Sequence, residues 1–263
     1  MQPLLLLLAF LLAPEPGTGI IIGGQEARPH SHPYMALIHA LHEGKVQRCG
    51  GVLVERDVVL TAAHCWGSSI KVTLGAHNIL NQERTQQVIS VKEAICHPDY
   101  NPKKSSNDIM LLKLEREARQ TAAVQPLSLP WGQAPVRPGE VCSVAGWGKV
   151  SIDTLATTLQ EVELTVRGQV AFTERALGIQ VGRIRESTVS VLPTLCAQGD
   201  SGGPFMCKNV LQGIVCCGQK NGKPPRVFTK VSSFLPWINE TMKSYEKPLT
   251  VGTTGKAGFL FIH

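Results

Sequence analysis

Leu159-Gln-Glu-Val-Glu-Leu-Thr-Val166 sets Val162, Leu164 and Val166 at every second position with Glu161, Glu163 and Thr165 between them. Side chains of a strand point alternately to its two faces, so this stretch reads as a strand with one face in a core and one in water. Working outward, Gly51-Val-Leu-Val, Val58-Val-Leu-Thr, Ile70-Lys-Val-Thr-Leu, Ile109-Met-Leu-Leu, Val141-Cys-Ser-Val-Ala and Gly213-Ile-Val are further short β-type runs, separated by Gly, Pro, Asn and Asp. That pattern predicts an all-β sandwich or barrel. Near the C-terminus, Val231-Ser-Ser-Phe-Leu-Pro-Trp-Ile-Asn-Glu-Thr-Met predicts one helix, capped by Ser232 or Ser233, with Phe234, Trp237, Ile238 and Met242 on one face.

The chain has 263 residues, 43% hydrophobic and 17% charged, enough apolar material for a substantial core. Its length fits one β domain or two fused barrels. Residues Met1 to about Gly19 run through Leu4-Leu-Leu-Leu-Leu-Ala-Phe-Leu-Leu12 and end among Pro, Gly and Thr, the layout of a secretory signal. No other stretch has the roughly 18 apolar residues of a membrane helix, so export without a membrane span is expected. In an oxidising compartment the eight cysteines form a disulfide framework, with 105 pairings open to them. The net charge of +6 is spread along the chain. It suits contact with sulfated proteoglycan, while no motif supports nucleic-acid binding.

Three separated segments supply complementary chemistry. Thr61-Ala-Ala-His64-Cys65 follows an apolar strand, and its small residues allow a histidine to sit at a crowded strand end. Ser106-Asn-Asp108 places a carboxylate directly before the apolar run Ile109–Leu112, where low dielectric strengthens its pull on a histidine. Gly199-Asp-Ser201-Gly-Gly-Pro204 is a glycine-rich turn whose backbone N–H groups can converge on one oxyanion. A serine hydroxyl becomes a useful nucleophile when an imidazole takes its proton and a carboxylate fixes that imidazole. His64, Asp108 and Ser201 are therefore the candidate triad, and each alone would be an ordinary surface, cap or turn residue. Cys96-His97 and Cys216-Cys217 lack metal-ligand spacing, so neither metal nor cofactor is expected.

Ile21-Ile-Gly-Gly24, Leu60-Thr-Ala-Ala-His-Cys65, Asn107-Asp-Ile-Met-Leu-Leu112, Ala145-Gly-Trp-Gly148 and Gly199-Asp-Ser-Gly-Gly-Pro204 resemble the chymotrypsin-family serine peptidases. Leu74-Gly-Ala-His-Asn78, Thr85-Gln-Gln87 and Asn101-Pro-Lys103 resemble the granzymes among them. The resemblance implies two six-stranded antiparallel barrels with the site in the cleft between them. It implies a signal and propeptide over 1–20, a peptidase domain over 21–245 and an atypical tail over 246–263. It also implies a secreted, granule-stored monomeric endopeptidase of cytotoxic lymphocytes that acts on protein substrates. An activating dipeptidyl peptidase would free the Ile21 ammonium to pair with Asp200, and Gly199 and Ser201 would form the oxyanion hole. The implied disulfides are Cys49–Cys65 and Cys142–Cys207; Cys96, Cys196, Cys216 and Cys217 are assigned no partner.

The segment Gln219-Lys-Asn-Gly-Lys-Pro-Pro-Arg226 resembles the specificity loop of granzyme B, which implies an Arg226 guanidinium in the pocket and cleavage after Asp. Gly218, Cys216 and Leu195 are the other implied substrate contacts. Between Arg167 and Gln198 the residues depart from the family, and Cys216 and Cys217 replace a serine and an aromatic residue. A catalytically impaired binding protein is therefore the rival expectation. Asn239-Glu-Thr241 is a glycosylation sequon on the predicted helix.

Overall fold

In the computed structural model the described residues are 24–132, 136–137, 139–150, 154–166, 199–217 and 227–246. Six strands, β2 (Met35–His42), β3 (Lys45–Glu55), β4 (Val58–Thr61), β5 (Ser69–Leu74), β6 (Gln87–Cys96) and β7 (Met110–Leu114), close into an antiparallel barrel in the order β2-β3-β4-β7-β6-β5. The other six, β1 (Gln25–Glu26), β8 (Val141–Gly146), β9 (Gln160–Thr165), β10 (Pro204–Cys207), β11 (Val210–Cys217) and β12 (Val227–Lys230), form a second sheet ordered β1-β9-β8-β10-β11-β12. All seven runs read as strands lie on strands. The Leu159–Val166 alternation holds on β9, where Val162 and Leu164 are buried while Glu163 and Thr165 are exposed.

Ile109–Leu112 is buried without alternation because both of its faces are covered: it belongs to one apolar cluster with Val59 and Leu60 of β4, Ile214 of β11 and Phe234 beyond β12. A second contact layer joins the two sheets. Trp147, fully buried, packs with Met35 and Leu37 of β2 and with Leu159, and its indole N–H donates to the His77 carbonyl at 3.0 Å. Burial of an indole with its N–H satisfied makes a stable sheet-to-sheet joint.

The C-terminal helix α1 spans Val231–Glu246 and begins directly after β12. Ser232 and Ser233 thus lie inside its first turn, a correction to their expected capping role. Val231 is fully buried with Phe234 and Ile238 in the barrel cluster. Burying a valine is worth about 1.5–3 kcal/mol, against about 1 kcal/mol for a serine cap, so packing sets the helix start. Trp237 and Met242 pack against the same core, completing the expected face. No helix among the described residues is long and apolar enough to cross a membrane.

Candidate active site

His64 is the middle residue of a short 3-10 turn, Ala63–Cys65, at the end of β4. Ala62 and Ala63 are buried, and larger side chains there would displace the turn from the barrel. Cys65 is tied to Cys49 of β3 by a disulfide, so both flanks of the histidine are fixed. The same bridge consumes the two sulfurs of the Cys49, His64 and Cys65 cluster, the one potential metal-holding group among the described residues.

Asp108 reaches this histidine from the loop before β7. Asn107 takes a left-handed backbone, φ 55°, which asparagine tolerates better than most residues, and its side-chain amide donates to the Asp99 carbonyl at 2.8 Å. The turned chain delivers both Asp108 oxygens to His64. Oδ1 accepts the His64 backbone N–H at 2.9 Å and Oδ2 lies 2.6 Å from Nδ1. The Asp108 side chain is 2% exposed and that of His64 27%, so the carboxylate is shielded while the imidazole keeps an open edge. Burial would push the Asp108 carboxyl up, but the His64 hydrogen bond and charge, a Cys216 thiol hydrogen bond and the His64 amide together hold it below its ordinary value. An ionised acceptor at Oδ2 requires the proton on Nδ1 and leaves Nε2 as the base.

Ser201 is carried by a turn stitched to both sheets. Its carbonyl accepts the Gly50 N–H of β3 at 2.7 Å, and Gly202 N–H donates to Val215 of β11 at 2.7 Å. Gly202 has φ 82°, and a Cβ there would strike the Gly50 carbonyl and the hydroxyl of Thr61, two residues before the His64 turn. Thr61 Oγ1 donates to that same carbonyl at 2.8 Å. Glycine at 202 is therefore the condition for the serine turn to seat against the histidine's own strand. Gly199 has φ 118°, and neither its amide nor that of Ser201 is spent on an acceptor among the described residues.

Asp200 is buried, and its Oδ1 accepts the Gly148 N–H at 2.8 Å. The absence of a Cβ at Gly146 and Gly148 makes room for this carboxylate. Both implied disulfides are formed, Cys49–Cys65 and Cys142–Cys207. Cys216 is buried, with its thiol turned toward Asp108 rather than displayed as a surface contact. Asn239 is exposed on α1. Ile21, Leu195, Gly218 and Arg226 lie outside the described residues.

Sequence reasoning passed over Thr229, whose buried hydroxyl donates to the Asp108 carbonyl at 2.9 Å and ties the aspartate loop to β12. A lone threonine in a short apolar strand carries no signal of that role. It also passed over Thr61 as the support for Gly50, although Thr61 stood inside the quoted His64 stretch.

A family model described as Trypsin matches residues 21–238. Human granzyme H is 59% identical over 250 residues, covering 92% of this chain and 99% of that protein. Human granzyme B is 54% identical over 252 residues, covering 93% of this chain and 100% of its own length. A solved structure described as "Structure of GrC" superposes with a TM-score of 0.73 at 48% identity, over 84% of this chain and 99% of the other.

Proposed function

The chain belongs to the trypsin family and is a serine endopeptidase; on that premise we propose that it cleaves protein substrates after aspartate, by an acyl-enzyme mechanism carried by His64, Asp108 and Ser201. The observation that supports the triad is the pair of hydrogen bonds that one buried carboxylate accepts from the backbone and the ring of His64, beside a serine turn held by Gly50 of β3 and packed against Thr61 of the histidine's own strand.

In this reading Ser201 Oγ attacks the scissile carbonyl while His64 Nε2 takes its proton. Asp108 holds Nδ1–H and stabilises the imidazolium that forms. The Gly199 and Ser201 amides donate to the tetrahedral oxyanion. His64 then returns the proton to the leaving amine, and water repeats the sequence on the acyl-enzyme. Competence requires cleavage before Ile21. The new ammonium pairs with the buried Asp200, and such a pair costs about 3–5 kcal/mol to break by losing one partner, enough to hold the turn in order.

Specificity for aspartate rests on Arg226 and on the likeness of its loop to that of granzyme B. A guanidinium in the pocket gains charge-assisted hydrogen bonds from a carboxylate and is left desolvated by an apolar side chain. Gly218, Cys216 and Leu195 complete the substrate contacts, with the Cys216 backbone rather than its thiol facing the peptide. The similarity to granzymes H and B supports storage in cytolytic granules and a part in lymphocyte killing. The basic surface suits retention there on sulfated proteoglycan.

The test is turnover of matched peptides with Asp, Phe, Lys or Leu before the scissile bond, by protein cut to begin at Ile21, with Ser201→Ala as control. Rapid Ser201-dependent cleavage of the Asp peptide is expected. A faster rate on the Phe or Leu peptide overturns the role of Arg226, and no turnover by folded protein moves the reading to an impaired binding protein.

A further inference from the structure

Asn239-Glu-Thr241 is the one Asn-X-Ser/Thr sequence of the chain without proline at X, and the triad and its supports leave it unused. It sits in the middle of α1. The helix turns its apolar face to the first barrel through Val231, Phe234 and Ile238, with Trp237 and Met242 beside them. Asn239 is on the other face. It is exposed, as are Pro236 before it and Glu240 and Lys243 after it, and its side-chain amide meets no hydrogen-bond partner among the described residues. An oligosaccharide on that amide displaces nothing from the core, and its bulk lies over the outer row of the helix.

Helical geometry sets when such a modification can occur. Transfer to asparagine requires its amide and the hydroxyl two residues on to be presented together. In an extended chain, residues two apart share one face, whereas two residues of α-helix turn through about 200°. In α1 Asn239 and Thr241 therefore point apart, Asn239 exposed and Thr241 half-buried. The sequon is an acceptor only before α1 forms.

The sequence and the packing prolong that state. Pro236 in the helix interior costs about 3 kcal/mol, and Ser232, Ser233, Asn239 and Thr241 are weak helix formers. In so short a segment helical stability comes mostly from packing, so α1 has to await the barrel. The cluster on which it docks contains Cys49 and Cys65, whose bridge closes on the slow timescale of disulfide formation, seconds to hours. We propose that Asn239 carries an N-linked oligosaccharide, added while residues 231–246 are still extended. Its Nδ2 attacks the sugar C1 of a lipid-pyrophosphate donor: the C1–Nδ2 bond forms, the C1–O bond breaks with its electron pair passing to the pyrophosphate, and the proton lost from Nδ2 goes to solvent. Transfer takes place in the secretory pathway, so the proposal rests on the export read from the N-terminal segment.

The experiment expresses the full chain in a mammalian secretory cell line in two forms, one with its own residues 1–20 and one with the cleaved leader of another secreted protein in their place. Peptide-N-glycosidase is expected to increase the gel mobility of the chain in medium and lysate, and to return the peptide that carries Asn239 with its asparagine converted to aspartate. Asn239→Gln and Thr241→Ala should each abolish the shift, and Thr241→Ser should keep it. A disulfide-bonded, lumenal chain whose mobility the glycosidase leaves unchanged overturns the site, as does a shift that survives Asn239→Gln. If only the form with the borrowed leader is exported and glycosylated, the export reading fails and the site stands. The order of events is read in a second assay, in which an oligosaccharyltransferase and its lipid-linked donor act on unmodified protein, either folded or reduced and alkylated. Only the reduced chain is expected to accept the glycan. Equal transfer to folded protein, or none to the reduced chain, overturns addition before α1 docks.

Discussion

Replacing both cysteines of one bridge by alanine separates stability from positioning, because the two bridges differ in the length of chain they close and in what they lie beside. Cys49–Cys65 spans a sequence separation of 16, and Cys142–Cys207 one of 65. Closure entropy grows with the logarithm of loop length, so their loss costs about 3 and about 4 kcal/mol respectively at 25 °C. All four residues are buried, so the cavity terms are similar and the order stands. Activity should fall in the opposite order. Cys65 adjoins His64, and Cys49 adjoins the Gly50 amide that holds the Ser201 carbonyl, so freeing them loosens base and nucleophile together. Cys142 and Cys207 face one another on the paired strands β8 and β10, whose ladder persists without the bridge. A misplacement of about 1 Å at a reacting centre costs on the order of a hundredfold in rate. Urea unfolding and kcat/KM on protein cut at Ile21 should therefore show the 142–207 variant as the less stable and the 49–65 variant as the slower. A 49–65 variant that keeps parental kcat/KM would refute the link between this bridge and the triad.

Asp108→Asn should lower kcat by about 10^4-fold, the scale of a triad histidine held in the wrong tautomer; a loss under tenfold in steady-state assays would remove Asp108 from the triad. Its carboxyl is held below the ordinary value, so its stabilising effect is present above the unfolded value of about 3.9 and is lost as pH falls through the folded one. The urea-stability gap between parent and Asp108→Asn should accordingly narrow in acid, and a gap unchanged from pH 6 to pH 2 contradicts this. Gly202→Ala combines a left-handed backbone with a collision against Thr61 and Gly50, and should cost at least about 2 kcal/mol in a denaturant titration along with most of the activity. Burial, aided by Glu161, pushes the Tyr34 phenol up to about 12, and burial with Glu93 and Asp57 pushes Tyr245 up to about 12. Ultraviolet titration of the folded protein, with Tyr34→Phe and Tyr245→Phe as controls, should show both of these phenols still protonated at pH 11.

The strands were legible because their burial follows side-chain alternation or continuous apolar runs, which sequence displays directly: β9 and β7 are the two cases. The helix was legible on the same grounds, and its start was misplaced because Val231 is buried by a core that is remote in sequence. Local capping chemistry cannot register such packing. At the site, His64, Asp108 and Ser201 stood out through their settings, a small-residue strand end, an acid before an apolar run and a glycine turn. Thr229 did not, because a hydroxyl donating to a carbonyl 121 residues away leaves no local pattern.

What unites these observations is where the site is held. His64 and Asp108 belong to the first barrel, Ser201 follows no strand of that barrel, and the residues that fix Ser201 are drawn from β3 and β11 alike. On the proposed mechanism the attacking and accepting groups are aligned only when the two sheets are docked, through Trp147 and Leu37 on one side and the Gly50 to Ser201 hydrogen bond on the other. The first barrel alone carries the histidine and its carboxylate, and the serine joins them only across the junction. A buried carboxylate at Asp200, next to the nucleophile and anchored to Gly148 of the second-sheet loop, is then a sensible place to control activity. On the proposed activation, a charge arriving there acts on a turn that Gly50 of β3 and Val215 of β11 both hold.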